Sequence, residues 1–378
     1  MRAEGKAAVS LLPQGPRAID GSMDDSGLLP LALLVKLPCR SRRAALFKES
    51  SASYNYHATT GNTSAGTKEQ LMAEKPRFRV RFWGVRGSYP VPGTQTLRYG
   101  GNTACVEVDA SGRTLVLDAG SGIIALGDSL LRRSNGNALH IALLITHAHG
   151  DHLLGLPFFA PLYEPTVSID FFGPRLAGRD VEGLVVPVMS PPYFPVDIRQ
   201  LPSQRAFYTL EDNMWIIWKP GCKQPLLLQE NQAAWEPPPL PTEVRVHARF
   251  TTLHPQNGSL LYAIEHAGRR LIYATDLEWG EEYQSEMLAF LERADLLIHD
   301  AQYTPEDYQQ SRRGFGHSTY EMAATVAQLA RVRELVLFHH EPTYDDQKLE
   351  RIESATRRQF SRSRLAREAM EIDLLVSP

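Results

Sequence analysis

Apolar and polar residues alternate along several stretches of this chain with the two-residue period of a half-buried β-strand. The sequence Phe-Arg-Val-Arg-Phe-Trp at 78–83 shows this pattern, and two further strand-like runs, 104–108 and 114–117, flank a turn at 110–112. This opening predicts a β-meander. The apolar run 139–145 is continuous, which is typical of a strand buried on both faces. Strands are also predicted at 167–172, 244–253, 259–265 and 270–274.

Helix-like stretches alternate with these strands, which places the chain in the α/β class. One helix is predicted at 121–133, before the Asn135-Gly136 turn, and a short helix at 151–163 is expected to be disturbed by Pro157. Further helices are predicted at 281–293, 319–329 and 345–370.

Residues 1–75 differ from the rest in being rich in Ser, Gly, Ala and basic side chains, with no sustained apolar periodicity. We expect a disordered leader there, followed by one folded domain at 76–378. Met72 lies shortly before the first strand-like run and is an alternative initiator, and the other interpretation of the leader is a short regulatory or targeting tail.

The segment 189–243 is dense in proline, with Trp215, Trp218 and Trp235 between the prolines. It is too apolar for disorder and too broken by proline to form a regular layer. We therefore predict an insertion that packs beside the functional site. One interpretation is a lid or substrate platform, and the other is plain structural packing of buried aromatic side chains.

The composition narrows the classes of partner. The 378 residues include 40 Lys and Arg against 43 Asp and Glu, so the nearly neutral chain predicts neither a strong nucleic-acid-binding patch nor attraction to membranes. No apolar run reaches the length of a membrane span. Three widely spaced cysteines make a disulfide framework unexpected. We expect a cytoplasmic protein, and a homodimer is compatible with the sequence.

The segment 146–152, Thr-His-Ala-His-Gly-Asp-His, follows the buried strand directly. Three imidazoles and a carboxylate are costly to bury without partners, and a metal ion would satisfy them. Residues two apart in an extended segment point the same way, so His147 and His149 can share one ion. Gly150 permits a turn that directs Asp151 and His152 towards a second ion.

Five strand-like runs each end in an Asp or His, and in layered α/β folds functional sites form where strands end. These residues are Asp118, His147, Asp276, Asp300 and His339. We therefore expect their side chains to converge on one site.

The His-x-His-x-Asp-His element at 147–152, together with His254, Asp276 and His339, resembles the metallo-β-lactamase-fold hydrolases. The resemblance extends from about residue 78 to residue 340. It implies a four-layer αββα sandwich and a hydrolase that binds two metal ions. It also implies the ligand set: His147, His149 and His254 for the first ion, Asp151, His152 and His339 for the second, and Asp276 bridging both.

The chemistry of the residues agrees with this expectation. Imidazole and carboxylate ligands without thiolate suit Zn2+, and also Mn2+ or iron. We expect two divalent ions, zinc first and manganese as the alternative. Two ions close together can share a hydroxide and neutralise charge on a phosphoryl or carbonyl oxygen. Asp118 is predicted to orient a ligating histidine rather than to bind metal itself.

The sequence Gly-His-Ser-Thr at 316–319 resembles the phosphodiesterase branch, which includes transfer-RNA 3′-processing endonucleases and cyclic-phosphate diesterases of phosphonate metabolism. The resemblance implies that His317 binds or protonates the phosphate, assisted by Asp300. Ser318 and Glu321 are predicted to form a capping box that places His317 at a helix start, where anions are favoured. The alternative is a capping turn that merely carries a histidine.

The elements 82–88 and 98–103 resemble those of a widespread group of bacterial phosphodiesterase-like proteins, and they supply Arg86, Ser88 and Asn102 as candidate substrate-binding residues. Arg86 has the forked donors of a phosphate clamp, and a structural arginine is the alternative. Either His339 or His340 fits the last ligand position. We choose His339 because it directly ends a strand.

These observations predict a dinuclear metal-dependent phosphodiesterase acting on a small or flexible phosphodiester, such as a cyclic or short oligonucleotide. A metal-bound hydroxide attacks phosphorus, Asp151 and Asp276 position it, and His317 protonates the departing oxygen. The segment 189–243 is poor in Lys and Arg, unlike the basic arm of the processing endonucleases, so a large structured RNA is not expected. The alternatives are an ester, thioester or lactone hydrolase, or a non-catalytic binding protein.

Overall fold

The computed structural model describes residues 75–233, 239–280 and 283–376. The predicted leader, except for Lys75, lies outside the described residues. No helix in the described part of the chain is both long enough and apolar enough to cross a membrane.

The strands of the first half are β1 Phe78–Gly84, β2 Cys105–Ala110, β3 Arg113–Leu117, β4 Leu139–Leu144, β5 Val167–Pro174, β6 Gln204–Leu210, β7 Met214–Trp218 and β8 Leu226–Gln229. Those of the second half are β9 Val244–Thr251, β10 Ser259–His266, β11 Arg269–Ala274, β12 Leu296–Asp300, β13 Leu335–Phe338, β14 Ser363–Leu365 and β15 Glu371–Asp373.

The α-helices are α1 Gly122–Ser134, α2 Gly150–Leu153, α3 Val181–Val185, α4 Glu230–Ala233, α5 Ser285–Leu291, α6 Pro305–Asp307, α7 Tyr320–Leu329 and α8 Asp346–Gln359. Short 3-10 turns lie at Leu156–Phe158, Ala160–Tyr163, Val186–Met189 and Ile198–Gln200, and a π-helical turn lies at Tyr308–Arg312.

The strands form two mixed sheets. The first has the order β15-β1-β2-β3-β4-β5-β6, in which β1 to β3 are the predicted antiparallel meander and β3 to β6 are parallel. The second has the order β14-β13-β12-β11-β10-β9-β7-β8, in which β11 to β14 are parallel. The carboxyl ends of β3 and β4 and of β11 to β13 carry the five predicted Asp and His residues.

Residues along each strand alternate between two cores. Leu117 of β3 contributes to the core between the sheets, whereas its neighbour Val116 packs on the outer side with Leu126 of α1. On the second sheet, Leu337 of β13 packs outward with Leu349 of α8. Helices therefore cover both outer faces, and the predicted αββα sandwich is confirmed.

The prediction of one helix over 345–370 is wrong beyond Gln359. Helix α8 ends there, and Ser363–Leu365 forms β14, which pairs in parallel with β13. Ser363 and Leu365 are buried against the sheet while Arg364 between them is partly exposed. Pairing with a strand that is remote in sequence therefore outweighs the local helical propensity.

The expectation that 189–243 cannot form a regular layer is also wrong for the described part of that segment, whereas Trp235 lies outside the described residues. Strand β6 extends the first sheet, and β7 and β8 extend the second. Trp218 is fully buried between the sheets, and Trp215 stacks on His247 with ring centroids 4.3 Å apart. Prolines lie mainly between the strands, so they do not interrupt the hydrogen-bonded ladders.

The predicted helix at 151–163 is divided into α2 and two 3-10 turns, because Pro157 and Pro161 cannot continue an α-helix. The capping box lies one residue later than predicted. Thr319 is the N-cap of α7, and its side chain accepts from the Met322 amide at 3.1 Å. The Ser318 hydroxyl instead donates to the Leu277 carbonyl at 2.7 Å.

Candidate metal centre

The five strand ends converge, and three of them have an unusual backbone. Asp118, Asp276 and His339 have φ angles of 61°, 57° and 62°. For residues other than glycine, this left-handed region costs of the order of 1–3 kcal/mol each. The sharp change of direction turns these side chains out of their sheets and towards a common point between the two sheet edges.

The first group of potential ligands comprises His147, His149, His254 and Asp276, whose ligand atoms all lie within 4.8 Å of one another. His254 Nε2 is 3.1 Å from His149 Nδ1, and His147 Nε2 is 3.6 Å from Asp276 Oδ1. His149 is exposed while the others are buried, so this group is open to solvent on one side.

The second group comprises Asp151, His152 and His339. His339 Nε2 lies 3.1 Å from Asp151 Oδ2 and 3.2 Å from His152 Nε2. Asp276 Oδ2 is 3.1 Å from His152 Nε2, whereas its other oxygen faces His147. Asp276 therefore lies between the two groups with one oxygen towards each.

The arrangement fits divalent cations. His147 Nε2 is buried and has no hydrogen-bond partner within the described residues, and an unpaired buried nitrogen is costly unless a cation occupies its lone pair. The donors are imidazole nitrogens and carboxylate oxygens, the set that zinc, manganese and iron accept. Cys105, the nearest cysteine in sequence, packs in the outer core of the first sheet instead.

The protonation states of the first group agree with metal binding. Burial, reinforced by neighbouring histidines, holds the pKa of His147 well below its usual value, and burial also lowers the pKa of His149 and His254. These rings are therefore neutral, the form that binds metal. Burial opposes ionisation of Asp276, yet the surrounding histidines, His339 first, hold its pKa well below the usual range.

Hydrogen bonds fix the ring orientations. His152 Nδ1 donates to Asp118 Oδ2 at 2.8 Å, and Asp118 also accepts from the Thr146 amide at 2.8 Å and the Tyr273 hydroxyl at 3.0 Å. His254 Nδ1 donates to the Gly316 carbonyl at 3.0 Å. Both rings therefore present Nε2 to the centre. Hydrogen bonds of this kind to the other ring nitrogen typically orient metal-binding histidines. Asp118 thus contacts His152 directly, and its role in orienting a metal ligand stays a prediction.

His317 and Asp300 form a pair at the edge of the centre. His317 Nδ1 lies 2.7 Å from Asp300 Oδ2, and the His317 ring stacks on His339 with centroids 4.9 Å apart. Burial alone would lower the pKa of His317, but Asp300 outweighs it and raises the pKa to about 9. His317 therefore carries a proton at neutral pH and still keeps about a tenth of its side chain exposed.

The distances alone would also permit Asp300 and His317 to be ligands, since both fall in one group with Asp276 and His339. The partners of Asp300 favour a different role. Its Oδ1 accepts from the Gln302 and Ser318 amides at 3.1 and 3.3 Å, and its Oδ2 from the Asp276 amide at 3.2 Å. A carboxylate so fully engaged is suited to holding a proton on His317 rather than to binding a cation.

Glu278 is a site residue that the sequence analysis missed. Its Oε1 accepts from the Tyr308 hydroxyl and the Gly314 amide, both at 2.7 Å, and its Oε2 accepts from the Gly316 amide at 2.7 Å. Gly316 has φ 90°, and a Cβ there would lie 2.5 Å from His254 Nδ1. Glu278 thus holds the loop that carries His317 and orients His254. Gly314 and Gly316 in this loop were the signal in the sequence that could have pointed to it.

Gln302 was also missed. Its Oε1 lies 3.2 Å from His339 Nδ1, and its Nε2 donates to Glu341 Oε2 and to the Ser88 hydroxyl, both at 3.1 Å. Ser88 is exposed at the edge of the site, and its amide donates to Asp151 Oδ2 at 2.7 Å. The candidate substrate-binding residue Ser88 therefore does lie beside the ligand groups.

The structure does not place Arg86 and Asn102 as the phosphate-binding interpretation expects. Arg86 is fully buried, and its guanidinium donates to the carbonyls of Gly100, Glu341 and Tyr344 at 2.8, 3.1 and 2.7 Å. The Asn102 side chain donates to Glu368 at 3.2 Å and accepts from the Ser121 hydroxyl at 2.9 Å. The side chains of both residues connect separate loops through hydrogen bonds. This favours a structural role over phosphate binding.

The choice between the adjacent histidines is also clear in geometry. His339 contacts Asp151 and His152, whereas His340 Nε2 lies 2.9 Å from the Ala366 carbonyl and its ring packs edge-on against Tyr99. Burial lowers the pKa of His340 to about 3, so it is a neutral core residue. Of the two histidines, His339 is therefore the one that lies among the candidate ligands.

The fold and the paired clusters define a metal-dependent hydrolase. The sequence profile described as Beta-lactamase superfamily domain matches residues 113–340, more than half of the chain. The chain therefore belongs to the β-lactamase superfamily, and it has the His and Asp clusters expected for divalent metal binding.

Relatives and solved structures agree with this family. The chain is 27% identical over 317 residues to the ribonuclease Z of Thermoplasma acidophilum, covering 79% of this chain and 97% of that protein. It is 26% identical over 287 residues to the ribonuclease Z of Haloarcula marismortui, covering 71% and 87%.

Among solved structures, the metallo-β-lactamase-fold protein YhfI from Bacillus subtilis has a TM-score of 0.55 at 17% identity, covering 79% of this chain and 100% of that one. The short form of human tRNase Z has a TM-score of 0.51 at 21% identity, with the same coverage. These likenesses establish the shared fold.

Proposed function

We propose that the protein is a metal-dependent phosphodiesterase whose substrate is a small or flexible phosphodiester, such as a cyclic or short oligonucleotide. The observation that carries this proposal is the His317–Asp300 pair. It places a protonated imidazole, with a pKa of about 9, beside the candidate metal centre. A phosphodiester brings both a negative charge and a departing oxygen that needs a proton, and His317 can meet both needs.

His147, His149 and His254 would hold one cation, Asp151, His152 and His339 a second, and Asp276 both. Zinc suits this ligand set first, and manganese is the alternative. When bound, two divalent cations lower the pKa of water between them and neutralise charge on the phosphoryl oxygens.

The protein's own residues supply orientation and the proton. The Ser88 amide and His339 hold Asp151 Oδ2 at 2.7 and 3.1 Å, which fixes its direction at the edge of the second group. Asp300 holds the Nδ1 proton of His317, so the remaining Nε2–H is free to be donated to the departing oxygen. The exposed side of His149 leaves room for a flexible substrate to approach.

The names of the relatives support phosphoryl chemistry. Two are called ribonuclease Z, one neighbour in structure is a tRNase Z, and another is a diphosphatase of the PhnP family with a TM-score of 0.50. Our proposal shares their reaction class and differs in the expected size of the substrate.

The test is hydrolysis of bis(p-nitrophenyl) phosphate beside p-nitrophenyl acetate, with metal-free protein reconstituted with zinc or manganese. The variant is His317→Ala. The matched control is His140→Ala, because His140 also pairs with a carboxylate, Asp170 at 3.0 Å, but at the amino end of β4. Metal-dependent diester turnover that falls about a hundredfold in His317→Ala alone is expected. Turnover of the acetate ester alone, at the same rate in wild type and His317→Ala, would overturn the proposal and indicate a carbonyl substrate.

A further inference from the structure

Five arginines line one groove on the outer edge of the second sheet. Hereafter called the arginine groove, it is lined by Arg333, Glu334, Glu353, Arg357, Ser361, Arg362, Ser363, Arg364 and Arg367. The nearly neutral composition conceals this surface. The signal in the sequence is local, since residues 351–367 contain six arginines and one glutamate.

The groove follows the last strand of the sheet towards the candidate metal centre. Strand β14 lies at the sheet edge, and Ser363 pairs with Leu335 at the start of β13. From Ser363 to Arg367 the chain advances about 13 Å in the direction of the β13 end that carries His339. The next residue, Glu368, accepts from the Asn102 amide at 2.7 Å. The adjacent Thr103 lies close to the Asp151 backbone, since a Cβ on Gly120 would be 2.6 Å from Thr103 Oγ1 and 2.3 Å from the Asp151 carbonyl oxygen.

Both glutamates of the groove already have arginine partners. Arg364 pairs with Glu334, and Arg357 pairs with Glu353 at 2.7 Å. Arg362 and Arg367 are exposed and form no ion pair with any described residue. Two arginines are thus free to bind an anion from solution, while the paired arginines add to the positive potential around them.

The guanidinium fork matches the oxygens of a phosphate. The stretch of about 13 Å from Ser363 to Arg367 would span roughly three to four phosphates of a helical strand at a rise of about 3.4 Å. We propose that the arginine groove binds the phosphate backbone of an oligonucleotide whose scissile bond lies in the metal centre. This inference rests on the proposed function and adds that the substrate is a nucleic-acid strand several nucleotides long.

The experiment measures binding of a fluorescent 12-nucleotide RNA, and of DNA with the same sequence, to the full chain across a series of salt concentrations. The variant is Arg362→Ala with Arg367→Ala. The matched control is Arg132→Ala with Lys223→Ala, which removes two exposed cations remote from the groove. Hydrolysis of bis(p-nitrophenyl) phosphate is followed in parallel, because this substrate is too small to reach the groove.

The groove variant is expected to bind the strand about tenfold more weakly, with a salt slope reduced by about 1 for each arginine removed. Its turnover of the small diester and the binding by the control variant should stay at the wild-type level. A loss for RNA alone would identify RNA as the partner, and an equal loss for both strands would identify backbone recognition of either.

Unchanged strand affinity in the groove variant would overturn the inference. Poly-glutamate binding to the same variants is measured as a comparison, and loss of affinity for it without loss for the oligonucleotides would also overturn the inference, since the groove would then bind an acidic protein segment. If the wild-type chain binds the strand through the groove but does not hydrolyse the small diester with any metal, the proposed function fails and the groove assignment stands.

Discussion

Substitution of Glu278 by glutamine tests whether the loop that carries His317 depends on one carboxylate. Both Glu278 oxygens accept hydrogen bonds, two at Oε1 and one at Oε2. Glutamine retains one acceptor oxygen and replaces the other with a donating NH2 group. At least one N–H or O–H donor would therefore face another donor.

The size of the effect follows from the bonds that are lost. A hydrogen bond to a charged acceptor contributes about 1.5–3 kcal/mol, and removing one partner leaves the other unsatisfied. If a loss of about 2–3 kcal/mol falls entirely on the placement of His317, kcat decreases roughly 30- to 140-fold, at about 1.4 kcal/mol per factor of ten. His254 would also lose part of its support, because its Nδ1 donates to the carbonyl of Gly316 in the same loop.

The assay is kcat for bis(p-nitrophenyl) phosphate in Glu278→Gln, with metal content measured on the same sample. Glu321→Gln is the matched control, since Glu321 lies exposed in the first turn of α7 and is not its capping residue. Turnover by Glu278→Gln within threefold of wild type, at equal metal content, would refute the idea that this carboxylate positions His317.

Three further outcomes follow from the site. The pKa of His317 is raised from 6.5 to about 9, so its charge is fully present below pH 6.5 and lost as pH rises through about 9. Activity should therefore decrease as pH rises, with a midpoint at about pH 9 or lower, since bound cations lower the pKa of His317. Asp300→Asn should move this midpoint to lower pH. A pH–kcat profile that is identical in both enzymes would contradict this role. His339→Ala should lose one equivalent of metal by elemental analysis, while His340→Ala retains both and is only less stable to urea. Asp118→Asn should weaken metal affinity about 10- to 100-fold in a chelator competition, and unchanged affinity would show that Asp118 does not orient His152.

Several residues of the candidate centre could be placed together from the sequence because each lies where an apolar strand ends, whereas the ligand set as a whole followed from the resemblance to the metallo-β-lactamase fold. Carboxyl ends of parallel strands meet at one edge of a sheet, so Asp276, Asp300 and His339, which are far apart in sequence, become neighbours. The alternation of apolar residues likewise predicted most strands and both buried faces. These are local patterns whose structural meaning does not depend on the rest of the chain.

The roles of Arg86 and Asn102 could not be predicted, because their partners are remote and consist partly of backbone. The carbonyl of Glu341 lies 255 residues from Arg86 in sequence, and nothing in the residue type distinguishes a carbonyl partner from a phosphate. Strand β14 could not be predicted for the same reason. Its sequence is compatible with a helix, and only pairing with the edge of β13 favours an extended conformation.

The left-handed backbone at Asp118, Asp276 and His339 sets a limit on how this protein can be improved. Aspartate tolerates that conformation better than most residues, histidine less so, and glycine adopts it freely. Replacing His339 with glycine would therefore relieve backbone strain while removing a candidate ligand. Selection for thermal stability alone would favour substitutions that remove candidate ligands in this way. A search for a more stable variant should therefore also screen for turnover in every round.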